Sequence, residues 1–198
     1  MTTVVLMGPP GAGKGTHADG LAASLGVPVI STGEIFRAQV ASGTSLGLSA
    51  KRYLDAGEYV PDEVTNEMVR ERLAAEDCRS GFLLDGYPRT LEQAVVLDDI
   101  LESQGRSLVA AVVLQVDTED LVHRLLRRAE IEHRSDDTEE VIRRRFELYG
   151  EETEPLITLY AGRGIIHEVD AGDDIDTVRT RVDHVADHLK PAQGTVDA

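Results

Sequence analysis

The chain has 198 residues, 41% of them hydrophobic and 28% charged, which suits one soluble globular domain and excludes a disordered tail protein, a collagen-like repeat and two independent domains. Its 36 acidic and 20 basic residues leave a formal net charge of −16, which disfavours a nucleic-acid groove or an anionic membrane surface as partner. Cys78 is the only cysteine, so neither an internal disulfide nor a cysteine-cluster zinc site is expected. No run approaches the ~18 apolar residues of a bilayer span. The opening residues lack the basic start and long apolar run of a signal peptide, and a cytoplasmic location is the expectation.

In chain order, short apolar runs alternate with longer segments of helical period. The runs 4–7, 27–30, 82–84, 110–116 and 164–169 read as strands. Helical patterns occupy 14–25, 33–41, 46–56, 62–75, 91–104, 119–128, 138–159 and 175–189. Strands that are apolar along their whole length, separated by helices, predict an α/β fold with a five-stranded parallel sheet flanked by helices on both faces. One core domain over residues 1–190 is expected, with a flexible tail at 191–198. Two stretches interrupt the alternation: a long helical passage between the second and third strands, and a short charged segment at 129–137. Such excursions often carry binding work, plain structural elaboration being the alternative.

The segment Gly8-Pro-Pro-Gly-Ala-Gly-Lys-Gly-Thr16 follows the first strand and opens a helix, the context of a phosphate loop of the P-loop NTPase-like kind. Its glycines let successive backbone N–H groups face one anion, the helix adds the positive end of its dipole, and Lys14 adds a full charge. The usual pattern places Ser or Thr directly after the lysine to hold Mg²⁺, but here Gly15 stands there and Thr16 follows. A metal would then be held mainly by phosphates and water. Asp85, at the end of the apolar run Phe82-Leu-Leu, is a carboxylate placed to orient such water, a plain helix cap being the alternative.

Of the basic residues 17 are Arg and 3 are Lys. Arg37 and Arg89 each fall just past a strand end, and two guanidinium forks there can grip a second phosphate; a solvated helix face is the other reading of Arg37. Arg124 and Arg128 share one helix face, and Arg134 and Asp136 follow the short charged segment. In the next helix Ile142, Phe146 and Tyr149 mark the buried stripe, so Arg145 flanks a cleft while Arg144 turns to solvent. A salt-bridged surface is the alternative for this set. His17, His123 and His133 read as exposed histidines of an acidic surface. Together these features suit phosphoryl transfer to an acceptor that is already anionic, which requires alignment and charge neutralisation but no general base.

The segments GPPGAGKGT, STGEIFR, LLDGYPRTLEQA, RLLRR and RSDDTEEVIRRR, in this order, resemble the adenylate kinase family of nucleoside monophosphate kinases from Val4 to about Asp170. The resemblance implies an AMP-binding insertion at 31–60 and a short lid at 128–137 without the zinc-binding insertion of long-lid members. It implies that Gly11, Ala12, Gly13, Lys14, Gly15 and Thr16, with Arg124 and Arg128, hold ATP. Thr32, Gly33, Arg37, Val60, Gly86, Arg89 and Gln93, with Arg134 and Arg145, would bind AMP, Gln93 reading the adenine edge. Lys14, Arg89, Arg128, Arg134 and Arg145 would be catalytic, and Asp85 would orient water on Mg²⁺, which enters as Mg-ATP. It further implies ATP, AMP and ADP as ligands and a monomer. His17 stands where Gln is common. A UMP/CMP kinase is the nearest alternative, but such members carry Ala at the position of Thr32 and Asn at that of Thr90; a nucleotide sensor without turnover is a second.

Overall fold

A computed structural model describes residues 1–117, 121–122, 124–127, 131 and 138–190. The strands are β1 (Thr2–Met7), β2 (Val29–Ser31), β3 (Gly81–Asp85), β4 (Ala110–Gln115) and β5 (Ile166–Asp170). They form one sheet in the order β2-β3-β1-β4-β5, every neighbouring pair parallel. The helices are α1 (Lys14–Leu25), α2 (Thr32–Ala41), α3 (Ser45–Ala56), α4 (Asp62–Leu73), α5 (Leu91–Ser103), α6 (Glu139–Leu148), α7 (Pro155–Gly162) and α8 (Ile175–Leu189). Residues 121–122 and 124–127 are also helical. The charged segment 128–137, apart from Ile131, and the tail 191–198 lie outside the described residues.

The continuous apolar strands follow from burial on both faces. Val5 and Met7 of β1 join Phe82, Leu84, Leu97 and Tyr160 in one cluster. Val4 and Leu6 turn the other way, onto Leu21, Leu83, Leu114 and Val182. Period-two alternation thus divides one strand between two cores, and each fully buried leucine contributes about 2 kcal/mol. Parallel strands end together, so the loops after β1, β2 and β3 meet at one edge, with Ser31 and Leu6 both in register with Asp85. Between β2 and β3 the chain leaves the sheet through α2, α3 and α4. Gly57, just past α3, lies against α6, where a Cβ would stand 2.8 Å from the Val141 carbonyl oxygen.

The single helix expected over 138–159 is corrected. α6 stops at Leu148, a π turn spans Tyr149–Thr153, and α7 starts at Pro155. Proline supplies no N–H to continue an α-helical ladder, and the wider turn places the Glu154 N–H on the Tyr149 carbonyl at 2.8 Å instead. The extra residue rotates Thr153 inward, where it is 6% exposed. Among the described residues no helix is long and apolar enough to cross a membrane.

Candidate active site

The loop between β1 and α1 is built by close backbone approach. Gly8 has φ +143°, and a Cβ on it would stand 2.7 Å from the Leu114 carbonyl oxygen of β4. Gly13 caps α1 in the left-handed region, φ 89°, with no capping side-chain hydrogen bond on the helix end. The first-turn N–H groups of α1 therefore remain available to an anion, and the helix dipole adds to them. Lys14 curls over the same loop, its Nζ donating to the carbonyls of Gly8 at 2.6 Å and Pro9 at 3.0 Å.

The neighbouring strand ends complete the wall. Ser31 Oγ donates to the Asp85 carboxylate at 3.2 Å. One residue on, Thr32 Oγ1 donates to the Gly86 carbonyl at 2.9 Å and ties the start of α2 to the loop after β3. Both arginines flank this tie. A Cβ on Gly86 would stand 3.0 Å from Arg89 Nη2, and one on Gly33 would stand 3.1 Å from Arg37 Nη1. Gly86, at φ +79° and with Thr32 Oγ1 2.9 Å from where a Cβ would stand, is a position for glycine, while at Gly33 a side chain would press on the Arg37 guanidinium.

Arg89 is fixed from several directions. Its Nε donates to the Gly86 carbonyl at 2.8 Å, and its N–H donates to Gln93 Oε1 at 2.7 Å. Its guanidinium carbon lies 5.0 Å from the centre of the Tyr59 ring, a cation–π contact. Its carbonyl accepts from Thr153 Oγ1 at 2.9 Å, and that hydroxyl is 2.8 Å from Tyr59 OH. A hydroxyl has one proton, so Tyr59 donates to Thr153 and Thr153 donates to Arg89. The arginine is thus preorganised by the end of the excursion and by the π turn at once.

A cleft of about 930 Å³ opens over these groups. Gly11, Ala12, Gly13, Lys14, Gly15 and Thr16 line it from the loop. Gly33, Arg37, Asp85, Gly86 and Arg89 line it from the strand ends, and Arg124 and Arg145 close it from the far side. Arg124 donates to the carbonyls of Ala171 and Gly172, both at 3.2 Å, which seats it beside the loop after β5. Arg143 and Arg144 instead pair with Glu139 and Glu147, while Arg145 lines the cleft. Tyr149 also lines the cleft, and burial, with Glu154 and Tyr59 adding to it, pushes its hydroxyl up to about 12.

Thr32, Val60 and Gln93 stand behind this wall, at 2%, 7% and 1% exposure. Arg128, Arg134, Asp136, His123 and His133 lie outside the described residues. His17 requires a correction: it is 6% exposed, lines the cleft, and its buried Nδ1 has no hydrogen-bond partner among the described residues. It follows Thr16 on the inward face of α1, which the surface reading of an acidic chain overlooked. Burial, then the charge of Arg179, lowers its pKa against an opposing pull from Asp183. Tyr59 and Thr153 were also missed. Nothing in the sequence marks a pair 94 positions apart, although Pro155 could have flagged an irregular turn.

The family model described as adenylate kinase matches residues 6–165. The chain belongs to the adenylate kinase family. Curated relatives called adenylate kinase agree along nearly the whole length. One from Nocardioides sp. is 56% identical over 179 residues, covering 90% of this chain and 94% of its own. Another, from Micrococcus luteus, is 53% identical over 196 residues, covering 99% and 96%. A third, from Thermobifida fusca, is 53% identical over 178 residues, covering 90% and 94%. With membership of the adenylate kinase family established, the cleft is its candidate active site.

Two outcomes test this arrangement. In a double-mutant cycle of Tyr59→Phe and Thr153→Val, read by urea unfolding, the hydroxyl chain predicts a coupling of about 0.5–1.5 kcal/mol; strictly additive losses would contradict it. For His17 the folded-state pKa lies below the unfolded one, so the unfolded chain binds the extra proton as pH falls below the ordinary histidine range. His17→Gln should therefore lose less stability than the parent on acidification from neutral pH, and parallel stability curves would contradict the burial argument.

Proposed function

We infer that this enzyme catalyses reversible phosphoryl transfer from Mg-ATP to AMP, giving two ADP. The observation that carries this reading is the meeting, in one cleft, of a phosphate loop with Lys14 and a separate arginine pair, Arg37 and Arg89. One cradle serves the donor tail and the other an acceptor phosphate. Family membership and the relatives' names support the same reaction.

On this reading Gly11–Thr16 and Lys14 hold the donor phosphates, the ammonium exchanging its bonds to Gly8 and Pro9 for phosphate oxygens. Arg124 lies along the donor nucleotide. Arg37 and Arg89 grip the AMP phosphate, while Thr32, Gly33, Val60 and Gly86 shape the pocket and Gln93 reads the base edge. Arg145, with Arg128 and Arg134, neutralises charge on the transferring group. The insertion 31–60 and the segment 128–137 would fold over the two substrates and exclude water, which otherwise competes as acceptor.

The oxygen donors at the cleft suit Mg²⁺. Asp85 presents a half-buried carboxylate oriented by Ser31, Thr16 adds a hydroxyl, and a hard cation that keeps most of its waters fits so few protein groups. A bound Mg²⁺, its waters held by Asp85 and Thr16, would offset charge on the donor phosphates. The AMP phosphate has a second pKa of about 6, so its attacking oxygen is anionic at neutral pH and needs no protein base. The residues have only to align two anions and offset their repulsion.

Lys14→Met should abolish nearly all turnover while preserving the unfolding transition; unchanged rates would refute the role of the loop. Arg89→Ala should lower kcat on the order of 10²-fold or more by removing a preorganised charge. A change confined to KM for ATP would move AMP elsewhere. Assaying ADP formation with AMP, CMP, UMP and GMP in turn should give AMP as the best acceptor, and a preference for UMP or CMP would favour the pyrimidine kinase alternative.

A further inference from the structure

Behind the cleft wall Gln93 belongs to a polar cluster in which Asp62 has so far had no role. Asp62, the first residue of α4, accepts through Oδ1 from Gln93 Nε2 at 2.6 Å and through Oδ2 from Thr90 Oγ1 at 2.7 Å. Thr90 in turn caps α5 by accepting from the Gln93 N–H at 3.1 Å. The other end of the Gln93 amide, Oε1, accepts from the Arg89 N–H at 2.7 Å. Asp62 sits in the first turn of its own helix, where the dipole favours a carboxylate.

We propose that Asp62 is a specificity-determining positioning residue, whose carboxylate, together with the Arg89 N–H, fixes the polarity of the Gln93 amide so that the acceptor pocket selects bases with an amino group at the edge Gln93 meets over bases with a carbonyl there. The inference rests on the reading of Gln93 as the group that meets the acceptor base. A carboxylate only accepts, so the NH₂ end of Gln93 must face Asp62. A backbone N–H only donates, so the oxygen end must face Arg89. Turning the amide over would set oxygen against carboxylate and NH₂ against N–H, in a position 1% exposed to water. Both bonds would be lost and both replacements would repel.

Each end of a primary amide retains a second hydrogen-bonding position after these bonds are made. To a base that passes the wall now covering Gln93, those positions would present an acceptor and a donor in one fixed order. Adenine offers an amino donor beside a ring-nitrogen acceptor, which this order can satisfy. Hypoxanthine and guanine offer a carbonyl beside an N–H and would meet like against like. Selection then comes from a built-in mismatch against the wrong base as well as from attraction to the right one. Asp62 lies 31 positions from Gln93 and acts only through it.

The test compares AMP with inosine monophosphate, which differs at this edge alone, in the full chain with saturating ATP. Asp62→Asn keeps the shape, but its amide can turn either end toward Gln93, since the Thr90 hydroxyl can give or accept, which leaves the Arg89 N–H as the one remaining group that sets the order of the Gln93 amide. The ratio of kcat/KM for AMP over inosine monophosphate should fall by at least ~10-fold. KM for AMP should rise, use of inosine monophosphate should improve, and KM for ATP should hold. That gain with the wrong base is something mere structural damage would not produce. Asp62→Ser, whose hydroxyl also gives or accepts, applies the same test if the Asn variant does not fold. A ratio unchanged in the folded variant overturns the proposal. Gln93→Leu separates the two layers: if it leaves the ratio intact, the reading of Gln93 fails and the proposal with it. If Gln93→Leu collapses the ratio while Asp62→Asn does not, the proposal alone fails.

Discussion

Two phosphate tails brought end to end repel strongly, and a molecule of net charge −16 adds to that repulsion. The fold answers with positive groups concentrated at one edge of a parallel sheet. The exposed N–H groups at the start of α1, Lys14 beside them, and Arg37 and Arg89 at the next strand ends all face the same cleft. Their value depends on being in place beforehand, because donors that must reorganise during reaction stabilise developing charge less well. Much of the surrounding structure can be understood as holding these groups still.

Arg89 is the clearest case. Its backbone is bonded through both N–H and carbonyl, its Nε to Gly86, and its guanidinium rests near the Tyr59 ring. These partners come from the excursion after β2, from the head of α5 and from the π turn after α6. A π turn is an irregularity at the cost of regular helix bonding, and here it delivers Thr153 to the Arg89 carbonyl. Lys14 shows the complementary arrangement, its charge bonded to carbonyls that an anion in the loop would replace.

Much of the frame was legible from the sequence. The patterns at 14–25 and 175–189 match α1 and α8 residue for residue, the first because the glycine loop before Lys14 and Gly26 after Leu25 bound it, the second because its apolar period is clear. The five strand runs were found with shifted ends. β5 starts two residues later than the expected run 164–169 and ends on Asp170, a polar residue of an edge strand that hydrophobicity alone does not mark. The loop, Asp85, Arg37, Arg89 and Arg145 were legible because each sits at a fixed offset from a strand end or on a helix face. Tyr59, Thr153 and Asp62 were not, since their partners are distant in the chain and the Tyr149–Thr153 turn obeys no 3.6-residue period. His17 was misread because net acidity describes the whole surface and says nothing of one inward position on α1.

The most direct measurement is a crystal structure with a linked diadenosine polyphosphate, a single molecule carrying both nucleotide ends. The account predicts one such molecule per chain, its phosphates running from Gly11–Thr16 and Lys14 to Arg37 and Arg89, with the two adenosines at opposite ends of the cleft. Binding outside the cleft, or two molecules each engaging the phosphate loop of a different chain with the arginine pair empty, would contradict it.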